Sequence, residues 1–152
     1  EKKDNFFIKK ILINVMNEHG VPSEGTALAD VELNHMYESY LLNKHIYYIL
    51  TIENKIVGGA GIAPLKNSDK NICELQKMYF LPVARGKGLG SLMIKKCIDY
   101  ASKSRFEYCY IETMHNMINA QKLYKKYGFE FIDSPLGNTG HSSCPVWMLK
   151  KL

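Results

Sequence analysis

The chain has 152 residues, of which 46% are hydrophobic and 23% are charged, and its formal net charge is +5. These values are ordinary for one soluble globular domain with a sizeable core, so we expect a single domain over residues 1–152. No apolar run reaches membrane-spanning length and the positive charge is dispersed, which argues against a membrane or a nucleic acid as a partner. Four scattered cysteines without C-x-x-C spacing indicate neither a zinc site nor a disulfide framework, and favour a cytoplasmic location.

The first part of the chain predicts two helices. Apolar residues at helical spacing indicate a helix over residues 5–18, with Asp4 as its N-cap and Gly20 as its end. A loop follows, and a second helix is expected over about residues 30–42. Aromatic and histidine side chains in this region either contact a substrate or serve packing and solvation, and the sequence leaves both interpretations open. These residues are His35, Tyr37, Tyr40 and His45.

The rest of the chain alternates strands and helices. Two strands separated by a short turn predict an antiparallel hairpin, and a third strand extends it to a meander. A helix connects the third strand to the fourth, so these two strands should run parallel. The small residues from Gly58 to Gly61 either clear one face of the sheet for a ligand or mark a bulge or close packing. The predicted strands cover residues 45–52, 55–64, 72–80, 106–114, 129–133 and 146–152, and the two later helices begin near residues 89 and 119.

Alternation assigns the side chains of the third strand to two faces. One face receives Glu74, Gln76 and Met78, and the other receives Cys73, Leu75 and Lys77, until a bulge or Pro82 ends the pattern. A carboxylate inside a sheet is unusual, so Glu74 is a candidate general base. The alternative is a strand carboxylate that is paired with a lysine or an arginine.

A glycine-rich turn, R-G-K-G-L-G, lies between the third strand and the next helix. Glycines at every second position leave backbone N–H groups uncovered where the helix begins. The helix dipole and the side chains of Arg85 and Lys87 add positive charge there. The turn therefore predicts an anion site for a phosphate or pyrophosphate, although its spacing matches neither a Walker A loop nor the dinucleotide-binding pattern.

Two motifs carry a family resemblance. The pattern R-x-x-G-x-G, formed by Arg85, Gly88 and Gly90 after the strand glutamate Glu74, resembles motif A of the GCN5-related N-acetyltransferases (GNAT family), which cradles the pyrophosphate of acetyl-coenzyme A. The run A-x-x-L-Y-x-x-x-G-F, which ends at Phe129, is similar to motif B. The resemblance implies a mixed α/β fold of GNAT type, with a central, mostly antiparallel sheet, one splayed parallel pair and flanking helices. The family's first strand is expected to be short or missing here.

The resemblance also implies an activity and a site. We expect an acetyl-CoA-dependent N-acetyltransferase that uses direct attack in a ternary complex, with no metal, acting on a small-molecule or peptide amine as a monomer or homodimer. Glu74 would be the base, and Tyr124 the acid at the departing thiolate, the alternative for Tyr124 being a core aromatic. Asn116 or Asn119 would replace an asparagine that many relatives carry where Met117 stands. The residues expected to bind the cofactor are Met78, Tyr79, Phe80, Arg85, Gly86, Lys87, Gly88, Leu89, Gly90, Ser91 and Asn119.

Other interpretations stay open at this stage. A module that binds acyl-CoA as a sensor without transfer is the main alternative function. His115 and His141 are lone histidines in loops, without metal-binding spacing, and are expected at the surface or in local hydrogen bonds. The polar, glycine-rich segment from residue 137 to residue 143 is either a lid over the acceptor or a solvated hairpin loop.

Overall fold

The computed structural model describes residues 1–68 and 71–152. Within these ranges, a six-stranded sheet has the order β1-β2-β3-β4-β6-β5. The pair β3 and β4 is parallel and the other described pairs are antiparallel, which confirms the predicted mixed α/β architecture. The strands are β1 (Ile46–Ile52), β2 (Lys55–Pro64), β3 (Ile72–Phe80), β4 (Tyr108–Thr113), β5 (Glu130–Phe131) and β6 (Val146–Lys151).

Four α-helices accompany the sheet in the described ranges, and none of them is long and apolar enough to span a bilayer. The first agrees with the predicted bounds, and Gly20 follows it with a left-handed φ of 64°. The side chain of Asp4 does not cap it, but instead accepts from the backbone amine of Glu1 at 3.0 Å. The helices are α1 (Asn5–Glu18), α2 (Met36–Ser39), α3 (Leu89–Lys103) and α4 (Ile118–Lys126).

The predicted second helix over residues 30–42 is wrong in extent. A 3₁₀ turn at Val31–Asn34 comes first, and only the single turn of α2 is α-helical. His35 separates them with a non-helical backbone, φ −138° and ψ 43°. The side chain of Asn5 in α1 accepts from the Tyr37 backbone N–H at 2.7 Å, so a tertiary contact satisfies a donor at the start of α2. The spacing of apolar residues could not predict the interruption at His35, because it depends on a side chain from α1.

The sheet buries a core on each face. On one face α3 and α4 pack through residues such as Ile94, Cys97 and Tyr124. On the other face α1 packs through residues such as Leu12 and Met16. Burial of apolar surface at both faces holds β3 and its neighbours between two helical layers.

A β-bulge changes the direction of the side chains along β3. Lys77 and Met78 together stand opposite Ala60 of β2, and Lys77 has a left-handed φ of 50°. Beyond the bulge the parity is reversed, because Met78 packs in the cluster of Cys73 while the Lys77 side chain lines a cavity with Glu74. The predicted faces of Met78 and Lys77 are therefore wrong, and of the two expected ends of the alternation, a bulge or Pro82, the bulge comes first.

The glycines of β2 serve close packing. A Cβ atom on Gly59 would lie 2.5 Å from the Tyr47 ring, and one on Gly61 would lie 2.6 Å from the same ring. The ring of Tyr40 also comes within 2.7 Å of the Gly61 position. The glycine surface is thus covered by aromatic rings from β1 and from the segment before it, and not kept clear for a ligand.

The parallel pair separates after three residues. The described pairing of β3 with β4 ends at Glu74 opposite Tyr110, although β3 continues to Phe80 and β4 to Thr113. This is the splay that the sequence predicted, and Glu74 lies where it begins.

Candidate active site

The glycine-rich turn adopts a conformation that requires glycine at two positions. Gly86 and Gly88 have φ values of 71° and 75°, and a Cβ atom at either would meet no neighbour within 4 Å. Glycine is therefore favoured at both positions by the left-handed backbone conformation and not by a lack of space. Gly90 differs, because a Cβ atom there would lie 3.3 Å from Cδ2 of Leu123 in α4. Gly90 allows α3 to pack closely on α4.

Free backbone donors cluster at this turn. Arg85 donates its N–H to Pro82, and the next bonded N–H, on Leu92, donates to Gly88. The N–H groups from Gly86 to Ser91 make no hydrogen bond within residues 1–68 and 71–152, and no side chain there caps α3. Unpaired donors at the positive end of a helix dipole attract an anion.

The two cations of the turn differ in their environment. Arg85 donates Nη1 and Nη2 to the Glu18 carboxylate at 2.5 and 2.8 Å, and its Nε donates to the carbonyl of Phe80 at 2.9 Å. The charge of Arg85 is therefore already compensated. Lys87 is exposed and forms no ion pair with any described residue. It is the uncompensated cation at the anion site.

A groove of about 580 Å³ runs beside the turn. Most of the residues predicted to bind the cofactor line it, together with the candidate acid Tyr124. Lys87, Gly88, Leu89 and Ser91 belong to the same turn and helix start but do not line the groove. The lining residues that the sequence predicted are Met78, Tyr79, Phe80, Arg85, Gly86, Gly90, Asn119 and Tyr124.

Tyr124 has a buried ring and an accessible hydroxyl. Its ring packs in the core with the Phe129 ring, at 6.1 Å between centroids. The hydroxyl has no hydrogen-bond partner among the described residues, and no fully buried side-chain oxygen there lacks one. The hydroxyl is therefore not fully buried, and Tyr124 lines the groove. Burial raises the pKa of Tyr124, so the phenol stays protonated and can donate a proton.

The two candidate asparagines both line the groove but differ in their contacts. Asn116 donates to the carbonyl of His19 at 2.8 Å, which occupies its amide. Asn119 is exposed at the start of α4 and has no partner within the described ranges. Met117 between them is buried against Thr113. Asn119 is thus the asparagine that is free to contact a ligand.

Glu74 is buried, with a relative exposure of 4%, and is held by a neutral partner. Gln76 donates to its Oε2 at 2.7 Å, and the hydroxyl of Tyr40 donates to the Gln76 amide oxygen at 2.7 Å. No described lysine or arginine forms an ion pair with Glu74. Its Oε1 has no partner among the described residues, so by the same argument Oε1 is not fully buried. Burial raises the pKa of Glu74, and the Gln76 hydrogen bond opposes that rise.

Two cavities adjoin Glu74. The larger cavity has a volume of about 190 Å³. It is also lined by Tyr40 and His45, two of the four residues for which the sequence left a substrate contact open. The smaller, of about 40 Å³, is bordered by Tyr79, which also borders the groove of Tyr124. Tyr79 therefore borders both the small cavity beside Glu74 and the groove beside Tyr124.

An ionic cluster that the sequence did not predict lies beside Glu74. His141 Nε2 is 3.0 Å from Asp30 Oδ1, and its Nδ1 is 3.4 Å from Glu112 Oε2. Lys77, whose side chain is 5% exposed, lies 2.6 Å from Asp30 Oδ2. Burial alone would lower the pKa of His141, but its bonds to the two carboxylates raise it to about 9. Burial opposes the ionisation of Asp30, yet His141 and Lys77 lower its pKa.

His115 is exposed, whereas His141 is 12% exposed and hydrogen-bonded to Asp30. Of the two roles expected for His141, the surface position does not apply and the hydrogen bond is present, within an ionic network. His141 also belongs to a group of three side chains, with Glu74 and Glu112, whose spacing resembles that of metal ligands. Ligand atoms of Glu74, Glu112 and His141 come within 4.8 Å of one another. Both nitrogens of His141 already face carboxylates, and Glu112 accepts from Tyr110 and Thr139, each at 2.7 Å. We assign no metal to the cluster, and a metal-free site stays a prediction.

Comparison with known proteins gives consistent matches. A family model described as the acetyltransferase (GNAT) family matches residues 14–129. The chain is 42% identical over 151 residues to an Escherichia coli K12 protein named as the uncharacterized N-acetyltransferase YjgM, an alignment that covers 99% of this chain and 90% of that relative.

Solved structures of the same shape are found across the full length of the chain. An acetyltransferase of the GNAT family from Staphylococcus aureus Mu50 aligns with a TM-score of 0.87 at 20% identity, over 100% of this chain and 95% of that one. The PaiA N-acetyltransferase of Thermoplasma acidophilum, solved in complex with coenzyme A, aligns with a TM-score of 0.72 at 15% identity, over 100% and 95%. At these identities the two structures show a shared fold.

Proposed function

Since the chain belongs to the acetyltransferase (GNAT) family, we propose that it transfers the acetyl group of acetyl-coenzyme A to a primary amine by direct attack in a ternary complex. The observation that carries this proposal is the run of unpaired N–H groups from Gly86 to Ser91, next to a groove that Tyr124 lines. Such donors suit the pyrophosphate of coenzyme A. The solved relative with coenzyme A bound has the same fold.

The proposed reaction assigns one proton to each candidate residue. Glu74 Oε1 takes the proton from the incoming ammonium, directly or through one water. The amine nitrogen then bonds to the acetyl carbon as the carbon–sulfur bond breaks, and the Tyr124 hydroxyl donates its proton to the departing thiolate. The nitrogen loses its second excess proton as it becomes an amide, and this proton returns to the Tyr124 phenolate through water. The raised pKa of Glu74 makes it a stronger base than an exposed glutamate, and the raised pKa of Tyr124 keeps its proton available until sulfur becomes negative.

The acceptor is proposed to be an amine that fits the cavity at Glu74. The cavity of about 190 Å³ at Glu74 would hold the amine of a small molecule or the end of a peptide side chain. The four cysteines are free and buried, which suits a reducing cytoplasm. A monomer or a homodimer would present this cavity to such an acceptor.

The direct test measures thiol release from acetyl-CoA with polyamines, amino acids, aminoglycosides and lysine or N-terminal peptides, each against a no-protein control. Release with one class identifies the acceptor, and Glu74→Gln should then reduce the rate by roughly 10²-fold or more. Binding of acetyl-CoA without release on any amine would instead favour a sensor module. An unchanged rate in Glu74→Gln would remove Glu74 from the mechanism.

The cofactor site is tested separately by calorimetry with acetyl-CoA. In Gly88→Glu, a carboxylate at the turn should repel the pyrophosphate and abolish binding. Gly20→Glu is the matched control, because Gly20 also has a left-handed φ, of 64°, and open space around its Cβ position, but does not line the groove. Equal affinity in the two variants would show that the turn does not hold the cofactor.

A further inference from the structure

His141 joins three parts of the chain next to Glu74. It lies on the segment between β5 and β6, Asp30 precedes the 3₁₀ turn at Val31–Asn34, and Glu112 is in β4. His141 Nε2 is hydrogen-bonded to Asp30 at 3.0 Å, and Nδ1 lies 3.4 Å from a carboxylate oxygen of Glu112. A carboxylate beside each nitrogen favours a ring that carries a proton on both and is therefore charged.

Several contacts hold this segment besides those of His141. In its first part, Leu136 donates its N–H to the Tyr110 hydroxyl at 3.3 Å, and Asn138 donates its N–H to the carbonyl of Lys66 at 3.0 Å. Ser143 donates its N–H to Gly25 at 2.8 Å, and His141 accepts from Cys144 through its carbonyl at 3.0 Å. The Thr139 hydroxyl donates to Glu112. Together these contacts place the segment from residue 134 to residue 145 along the cavity of about 190 Å³, which His141 and Thr139 line together with Glu74.

We propose that His141 is a positioning residue for the acceptor: through Asp30 and Glu112 it holds the segment 134–145 against the cavity at Glu74. This inference rests on the proposed function, because it assigns that cavity to the amine. It also decides between the two interpretations of the glycine-rich segment, which becomes a wall of the acceptor site and not a free hairpin loop.

The titratable groups around His141 come from every packed element. Asp30 and Glu112 contact the ring, Glu74 of β3 lies close enough to act on its charge, and Lys77 shares Asp30 with it. Cys144 follows on the same segment and is buried. A positive ring favours the ionised form of Asp30, so loss of the ring charge would leave Lys77 as the ion-pair partner of this carboxylate among the described residues.

The inference predicts which kinetic constant changes. His141, Asp30 and Glu112 border the cavities at Glu74, and none of them lines the groove of about 580 Å³. In His141→Gln the KM for the amine should therefore rise by about tenfold or more at pH 7, while the Kd for acetyl-CoA changes by less than about twofold. The ratio of the variant's KM to the wild-type KM should fall toward one as the pH passes 9, because the wild-type ring then loses its charge, and the titration of the amine cancels in this ratio.

The closing experiment combines a titration with these kinetics. Imidazole NMR of the five histidines should show one ring that titrates near pH 9, and this signal should be missing from His141→Gln and present in the control His115→Gln, whose histidine is exposed. Hydrogen exchange should show that Ser143 loses protection in His141→Gln. If that variant does not fold, Asp30→Asn, which removes one carboxylate charge beside the ring, should lower the pKa of the same imidazole.

Each outcome decides the inference. A ring near pH 9 with a pH-dependent KM ratio supports it, and no titration near pH 9, unchanged Ser143 exchange or a KM equal to the wild type overturns it. If no amine in the panel is acetylated, the proposed function fails on the release assay. The titration and the exchange then still decide whether His141 holds the segment.

Discussion

The His141→Gln variant should lose stability in a way that depends on pH. The contacts with Asp30 and Glu112 raise the pKa of His141 to about 9 in the folded protein, compared with about 6.5 in the unfolded chain. A folded-state pKa above the unfolded value means that the proton stabilises the fold. The gain is about 3 kcal/mol from 1.36 kcal/mol per pH unit, since the ring is only 12% exposed. It is fully present below pH 6.5 and is lost as the pH rises through 9.

Urea unfolding of wild type and variant at pH 6 and pH 10 measures this contribution. The difference in the free energy of unfolding should fall by about 3 kcal/mol between the two pH values, at a constant m-value. Contributions from groups far from His141 cancel in the comparison. The pKa of Asp30 is lowered, so this carboxylate is ionised at both pH values and does not produce the trend. A difference that stays the same at pH 6 and pH 10 would refute the charged network around His141.

Three further changes address other parts of the site and the core. Tyr124→Phe removes a hydroxyl without a described partner, so stability should stay within about 0.5 kcal/mol while thiol release falls by roughly 10²-fold; an equal rate would exclude Tyr124 as the acid. Glu18→Gln frees the Arg85 guanidinium, so calorimetry should show tighter acetyl-CoA binding with a steeper salt dependence, and weaker binding would contradict this. Phe129→Ala, at a side chain that is 1% exposed, should cost about 3–5 kcal/mol in urea unfolding, and a loss below about 1 kcal/mol would contradict its place in the core.

The elements that the sequence predicted well are those that local chemistry determines. The bounds of α1 follow from apolar spacing and Gly20, and the turn from Arg85 to Gly90 follows from glycines at fixed intervals. The break before α2 did not follow, because it depends on the Asn5 side chain from another helix. The exchange of faces at Lys77 also depends on a neighbour, since the bulge is defined by its pairing with β2. Period-two alternation predicts faces only while the pairing is regular.

The same distinction separates the two halves of the candidate site. In one half, the residues proposed to bind the cofactor lie mostly in one continuous strand, turn and helix, so their motif contains most of their geometry, and α4 adds Asn119 and Tyr124. In the other half, the ionic cluster beside Glu74 brings together Asp30, Glu112 and His141, which are separated by many residues and carry no common motif.

One pattern in the sequence indicates part of the ionic cluster at His141 but does not identify the histidine. Tyr110 and Glu112 lie two residues apart on β4, on the face where Tyr110 stands opposite Glu74. Once the parallel pair is placed in register, two carboxylates share one buried face, and a cation must come from elsewhere to compensate them. His141, on the segment between β5 and β6, can compensate the carboxylates because one of its nitrogens faces Asp30 and the other faces Glu112. The register of the strands, which the sequence does not contain, is therefore what gives His141 its role.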